Sequence, residues 1–335
     1  MTDDQQLIEA SEARAETTTP EIRSGEVHKE RREFFKAAFG AAAVTAAGGA
    51  ALSMATSASA AVIADNNAFV FLLQLDYLAA QYYSYATTGA GLAPSLLTGQ
   101  TTDTAGAATG ARQVTFTDPL IAQYAREFAQ DLVANVTYIR AQLGSDGISA
   151  QPAIDLGTSP TGAFSKLAQA AAVVGAGASF DPYASDENFL LGAFMFEDVI
   201  VTAYIGVIAA VTDKTLMGAA SGLLATHAHH ASVIRALLYA RDVAPSYPLR
   251  AKVDAISNVR DNLDGTTSDL DQGISSTMVN TLVLSNVVPA ASNGSVLARS
   301  TTQVLNILYL NSLVVSAGGF YPAGINGAFK TSGSN

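Results

Sequence analysis

Phe189-Leu190-Leu191-Gly192-Ala193-Phe194-Met195-Phe196-Glu197-Asp198-Val199-Ile200-Val201-Thr202-Ala203-Tyr204 decides the fold. The spacing predicts a helix from Asp186 to Val211 that is apolar nearly all round. An all-round apolar helix is either a membrane span or the central helix of a soluble core. Two adjacent acids at its middle argue against a span, because ionised carboxylates in lipid are costly. Its neighbours argue the same way, since they are amphipathic. Phe69, Leu72, Leu73, Ala79, Ala80 and Tyr83 share one face of a helix over Asn66–Tyr85, from which Gln74 and Gln81 fall away. Asp118-Pro119 opens a second helix that Gly144 ends, with Ala125, Phe128, Leu132, Val136 and Ile139 on its inner face. Lys214–Arg241 forms the fourth, with Leu223, Ile234 and Leu237 inward. Four helices of this length, each with an apolar stripe, make an all-α four-helix bundle.

Outside the bundle the pattern weakens. Short helices are expected over Ala163–Val174, Ala251–Leu263 and Thr301–Leu310. Gly318-Gly319-Phe320-Tyr321-Pro322-Ala323-Gly324 reads as an ordered cap, with a mobile tail after Lys330. Residues 61–245 are thus the bundle and 246–335 an irregular, partly helical C-terminal extension packing on it.

Residues 1–60 read as an address. Glu30-Arg31-Arg32-Glu33-Phe34-Phe35-Lys36 precedes a mild apolar stretch ending in Ala58-Ser59-Ala60. Paired arginines, a weakly apolar region and a small-residue cleavage site are the parts of a twin-arginine signal. The expected location is therefore periplasmic or secreted, with no integral span after cleavage. The chain has no cysteine, which excludes disulfides, thiolate metal sites and thiol nucleophiles. A net charge of −11 excludes a nucleic-acid partner, which would need clustered Lys and Arg. No Gly-x-Ser-x-Gly turn or phosphate-binding glycine loop is present.

The chemistry-bearing signal is polar residues on apolar stripes. Asp76 lies in the first, Asn135 in the second, Glu197 in the third, and His227 with His230 in the fourth. A buried carboxylate needs a charged partner or a metal. Two carboxylates and two imidazoles from three helices suit one divalent transition ion or, equally, a metal-free hydrogen-bonded network.

Leu75-Asp76-Tyr77-Leu78-Ala79-Ala80-Gln81-Tyr82-Tyr83, Tyr138-Ile139-Arg140-Ala141-Gln142-Leu143-Gly144, Phe196-Glu197-Asp198-Val199, His230-Ala231-Ser232-Val233-Ile234-Arg235 and Gly319-Phe320-Tyr321-Pro322, in that order, resemble the ferritin-like family that includes desiccation-related proteins. Di-metal members take a Glu from each of two helices and a Glu-x-x-His pair from each of the others. The resemblance implies Asp76, Glu197 and His227-x-x-His230 as metal residues. The second-helix pair falls on Leu132 and Asn135, so a bridging carboxylate from that helix is absent unless Asp131, about 100° from Leu132, rotates in. A complete di-metal site is therefore not expected, and the remainder would hold one iron or manganese ion or none. The favoured function is an exported, desiccation- or stress-related, non-enzymatic protein with a degenerate di-metal site. The alternative is a mononuclear iron- or manganese-binding redox protein. A homo-oligomer and a cell-envelope partner are left open.

Overall fold

The computed structural model describes residues 55–100, 102–242, 248–265, 270–279 and 281–335. The expected Arg31-Arg32 signal and the expected boundary at residue 245 lie outside them. The elements in order are α1 (Ala55–Thr88), a 3-10 turn (Pro94–Leu96), β1 (Ala108–Thr109), α2 (Pro119–Gly147), β2 (Ile154–Asp155), α3 (Ala163–Ala170), α4 (Asp186–Ile208), α5 (Lys214–Ala240), α6 (Leu249–Asp264), β3 (Thr277–Val279), β4 (Leu282–Leu284) and α7 (Thr301–Leu308).

α1, α2, α4 and α5 are the four long helices of the bundle. α1 packs along α2 and α4 along α5, with α1 also touching α4 and only a light contact between α2 and α5. Polar caps fix where they start. Asp118 accepts from the Leu120 amide and Ser185 from the Asn188 amide. Asp213 does the same for Thr215 and Leu216. Two buried acids then tie helix starts together. Asp186 accepts from the Thr117 and Asp118 amides ahead of α2, and Asp65 of α1 accepts from the Thr212 and Asp213 amides ahead of α5. At Gly144, with φ 64°, α2 is kinked, so the regular helix breaks where the sequence predicts.

α4 passes the length and hydropathy test for a membrane span, yet 83% of that window is buried within the structure, as a core helix must be. α1 is equally central, against expectation: every residue from Ala68 to Ser84 is buried. Gln74 and Gln81 do not face water. The Gln81 amide donates to Gln151 and its oxygen accepts from the Leu92 amide. The Gln74 oxygen accepts from the Asn326 amide, and Tyr321 donates to the Gln74 carbonyl. The glycine-rich segments after α1 and at the C-terminus close over this flank, and β1 pairs in parallel with β2 beneath them.

The segment after Lys330 is also held, contrary to the expected mobile tail. Ser332 is buried and its hydroxyl donates to the Leu313 carbonyl. The Asn335 amide reaches the Leu263 carbonyl.

The C-terminal extension is locked to α4 and α5 by buried ions. Arg235, Arg260 and Arg299 pair with Asp198, Asp264 and Asp271. One backbone crossing is especially tight: a Cβ on Gly206 would lie 1.9 Å from the Arg299 carbonyl oxygen. Gly→Ala inside a helix ordinarily stabilises by about 1 kcal/mol. Gly206→Ala is expected to have the opposite sign, a loss of about 2 kcal/mol or more through overpacking, read as a lower denaturant midpoint.

Candidate metal centre

α1, α4 and α5 converge on a buried cluster. Glu197, from the most apolar helix, is fully buried, as are Asp76 and His227, and His230 is nearly so. The i, i+3 spacing of His227 and His230 puts both rings on the inner side of α5, whereas His229 faces solvent. The four residues expected at the site do come together. They do not have equal places in it.

Glu197 Oε1 is the hub. It lies 2.8 Å from His227 Nδ1 and 3.6 Å from His230 Nδ1, the second distance too long for a hydrogen bond. Its other oxygen accepts from the Tyr83 hydroxyl at 3.1 Å. Each imidazole is held from behind by a carboxylate. His227 Nε2 is 3.2 Å from Asp76 Oδ1, which also accepts from the Tyr204 hydroxyl at 2.8 Å. His230 Nε2 is 3.2 Å from Asp131 Oδ2 on α2. Phe128 of α2 covers the His230 ring, with centroids 4.2 Å apart.

Asp131 is therefore part of the cluster, and helical-wheel reasoning missed it. Its angle from Leu132 turns it out of the bundle axis but toward the flank where α5 runs. Its side chain is 35% exposed, and of the groups contacting the cluster through hydrogen bonds it is the one open to water. Tyr83 and Tyr204 were legible as inner-face residues, but not as donors to the site carboxylates. Asn135 is buried beside no hydrogen-bond partner for its Nδ2, and no distance ties it to the cluster.

Burial alone would raise the Glu197 pKa, but the His227 and His230 rings outweigh it and hold the carboxyl down to about 2. Burial would lower that of His227, but Glu197 and Asp76 outweigh it and push the ring up to about 10. Burial and the adjacent carboxylates keep the Tyr83 and Tyr204 phenols protonated.

Among the described residues, Glu197, His227 and His230 form a group whose ligand atoms lie within 4.8 Å of one another, close enough to hold a metal ion. A second observation fits. His230 Nδ1 is buried with no hydrogen-bond partner, and so is Asp76 Oδ2. Orphaned buried polar atoms are rare and call for an occupant. Two imidazoles and one carboxylate, each imidazole backed by a carboxylate, is the donor set of a mononuclear non-haem site. Asp76, expected as a fourth metal residue, lies behind the His227 ring through Oδ1, with Oδ2 left without a partner.

A protein-family model described as "Ferritin-like domain" matches residues 64–240. The chain is similar to "Ferritin-like catalase Nec2" of Nesocodon mauritianus, 27% identical over 279 residues, which cover 79% of this chain and 84% of that one. It is also similar to "Desiccation-related protein PCC13-62" of Craterostigma plantagineum, 28% identical over 198 residues, 58% of this chain and 59% of that one. No solved structure matches it.

Proposed function

We propose that this chain, which belongs to the ferritin-like domain family, binds one iron or manganese ion through Glu197, His227 and His230 and acts on peroxide. The buried, unpartnered Nδ1 of His230, facing Glu197 Oε1 beside His227 Nδ1, carries the reading. When bound, such an ion supplies a redox-active Lewis acid. The protein's own residues do the rest. Asp76 and Asp131 accept the Nε2–H of each ring, which fixes the tautomer with Nδ1 free. Tyr83 occupies one oxygen of Glu197 and leaves Oε1 to bind. With both rings neutral, the two fully buried carboxylates, Asp76 and Glu197, match the charge of a divalent ion, and the third, Asp131, is partly exposed to water. Aromatic walls from Tyr83, Phe128 and Phe196 keep bulk water out. Peroxide is chosen as substrate because the relative from Nesocodon mauritianus is named a catalase; the name of the other relative supports a role under water stress.

A second reading has its own observation. The His227 ring lies between Glu197 Oε1 and Asp76 Oδ1. Doubly protonated, it neutralises both carboxylates without any metal, and the protein is then a non-enzymatic protective module. Metal analysis of natively produced protein separates the two. The first reading expects about one iron or manganese per chain and peroxide turnover that chelation abolishes. Metal-free protein that refuses both ions in titration overturns it. Loading must also displace the His227 proton. Apparent metal affinity is therefore expected to rise about tenfold per pH unit between pH 6 and 8 for each proton released, readable by calorimetry at two pH values.

We further propose export by the twin-arginine route, on the strength of Arg31-Arg32 and Ala58-Ser59-Ala60. Arg31→Lys with Arg32→Lys is expected to retain the protein in the cytoplasm in a fractionation assay. Unchanged export would show that another route is used.

A further inference from the structure

From Gln272 to Ala298 the chain carries no charged residue, although its net charge is −11. Within this stretch β3 and β4 form an antiparallel pair with Met278 opposite Val283. Among the described residues the sheet has these two strands alone. Exposed apolar side chains stand on both faces: Met278 is 74% exposed, Leu282 and Val283 66% each and Leu284 45%, and Val288 just beyond the sheet is exposed as well. Period-2 alternation puts Val283 and Met278 on one face and Leu282 and Leu284 on the other. A two-stranded sheet is marginal by itself. Exposed edges are normally blunted by lysine, proline or charge, and neither strand here has any.

We propose that this hairpin is a dimerisation arm that pairs edge to edge with the same hairpin of a second copy. β4 is the pairing edge, antiparallel about a two-fold axis at Val283, so that Val283 faces its own copy and Leu282 faces Leu284. The result is a four-stranded sheet whose apolar side chains gain cross-strand neighbours on both faces, which accounts for exposure on both. A flat partner would cover one face only. Lipid would leave the strand edges unpaired in an apolar medium. The five side chains expose roughly 500 Å² per copy, at the upper end for a monomer's patch. Edge pairing covers only part of that area in each copy, below the roughly 1,000 Å² of a standard interface, so main-chain hydrogen bonds along β4 would carry much of the association. The missing charge matters as well: two strongly acidic chains can approach here without like charges opposed.

The absence of cysteine makes the test clean. Val283→Cys places two thiols across the axis at an antiparallel Cα spacing of about 4.5–5.5 Å, within disulfide reach. Diamide, which takes up the two electrons and two protons released, is expected to convert most of that variant to a covalent dimer. Leu313→Cys, exposed elsewhere, is expected to stay monomeric on the same gel. Val283→Lys opposes two cations at the axis and is expected to weaken self-association about tenfold or more in sedimentation velocity, with helicity unchanged. A wild-type chain that stays monomeric at a hundred micromolar overturns the proposal. So does a dimer that survives Val283→Lys and is not trapped by Val283→Cys. Binding of the monomer to neutral phosphatidylcholine vesicles, lost in Val283→Lys, would assign the arm to lipid instead.

Discussion

Replacing His227 with alanine is expected to abolish metal binding and to lower the stability of the metal-free protein by about 3–5 kcal/mol. The ring bridges Glu197 and Asp76, both fully buried. Without it two carboxylates face each other across a cavity, with Tyr83 and Tyr204 as their remaining donors. For a chain of this size the loss corresponds to a fall in Tm of roughly 4–9 °C. His229→Ala, on the exposed side of the same turn, is expected to change neither property.

The pH dependence identifies the cause. The folded-state pKa of His227 is raised to about 10 from an ordinary 6.5. Its contribution to the metal-free fold is therefore full below pH 6.5 and disappears as pH rises through 10. The gap in unfolding free energy between wild type and His227→Ala should be widest in mild acid and shrink toward pH 10. Metal-loaded protein should run the other way, because metal competes with protons for the same nitrogens. A gap independent of pH in metal-free protein would mean that His227 contributes by packing alone, and the charged bridge between Glu197 and Asp76 would be wrong.

The bundle was legible because its four helices carry apolar stripes, and burial leaves a period in sequence. Glu197, His227 and His230 were legible for the converse reason, as polar residues on those stripes. The central place of α1 was not. Gln74 and Gln81 break its apolar pattern, and they are buried only because loops far along the chain supply partners for them. Asp131 was missed because a helical wheel locates a residue relative to its own helix axis, whereas the position of α5 decides what it touches. Asp76 was legible as a member of the cluster, but its place behind the His227 ring was not, since a residue's position on a stripe does not reveal which side of an imidazole it meets. The ionic clamp under the C-terminal extension left no trace in the pattern at all. Its members run from Asp198 to Arg299, and ion pairing has no sequence period.

That clamp supports the second large effect. Asp271→Ala is expected to cost about 3–5 kcal/mol and to release the extension before the bundle unfolds. Asp271 accepts from Arg260 at 2.6 Å, Arg299 at 2.9 Å and Ser257 at 2.7 Å, all of them buried. Its removal leaves two guanidinium groups short of charge in a dry interior. Arg260 would retain Asp198 and the Phe194 carbonyl; Arg299 would retain Asp264 and Thr202. The extension is held at a second point by Arg235, which donates to the carbonyls of Gln272, Gly273, Asn286 and Val287. Loss of Asp271 should therefore loosen residues near 270 most, which limited proteolysis would report as early cleavage there with the bundle intact. Burial would raise the Asp271 pKa, but Arg260 and Arg299 outweigh it and hold the carboxyl below its ordinary 3.8. Its stabilisation is present above that value and is lost as pH falls through the lower folded one, so acid should release the extension in wild type and make little further difference in Asp271→Ala. Asp271→Asn keeps the size and loses the charge, and is expected to fall between the two. If it matches wild type, the interaction is neutral hydrogen bonding, and the three arginines are balanced by Asp198 and Asp264 alone.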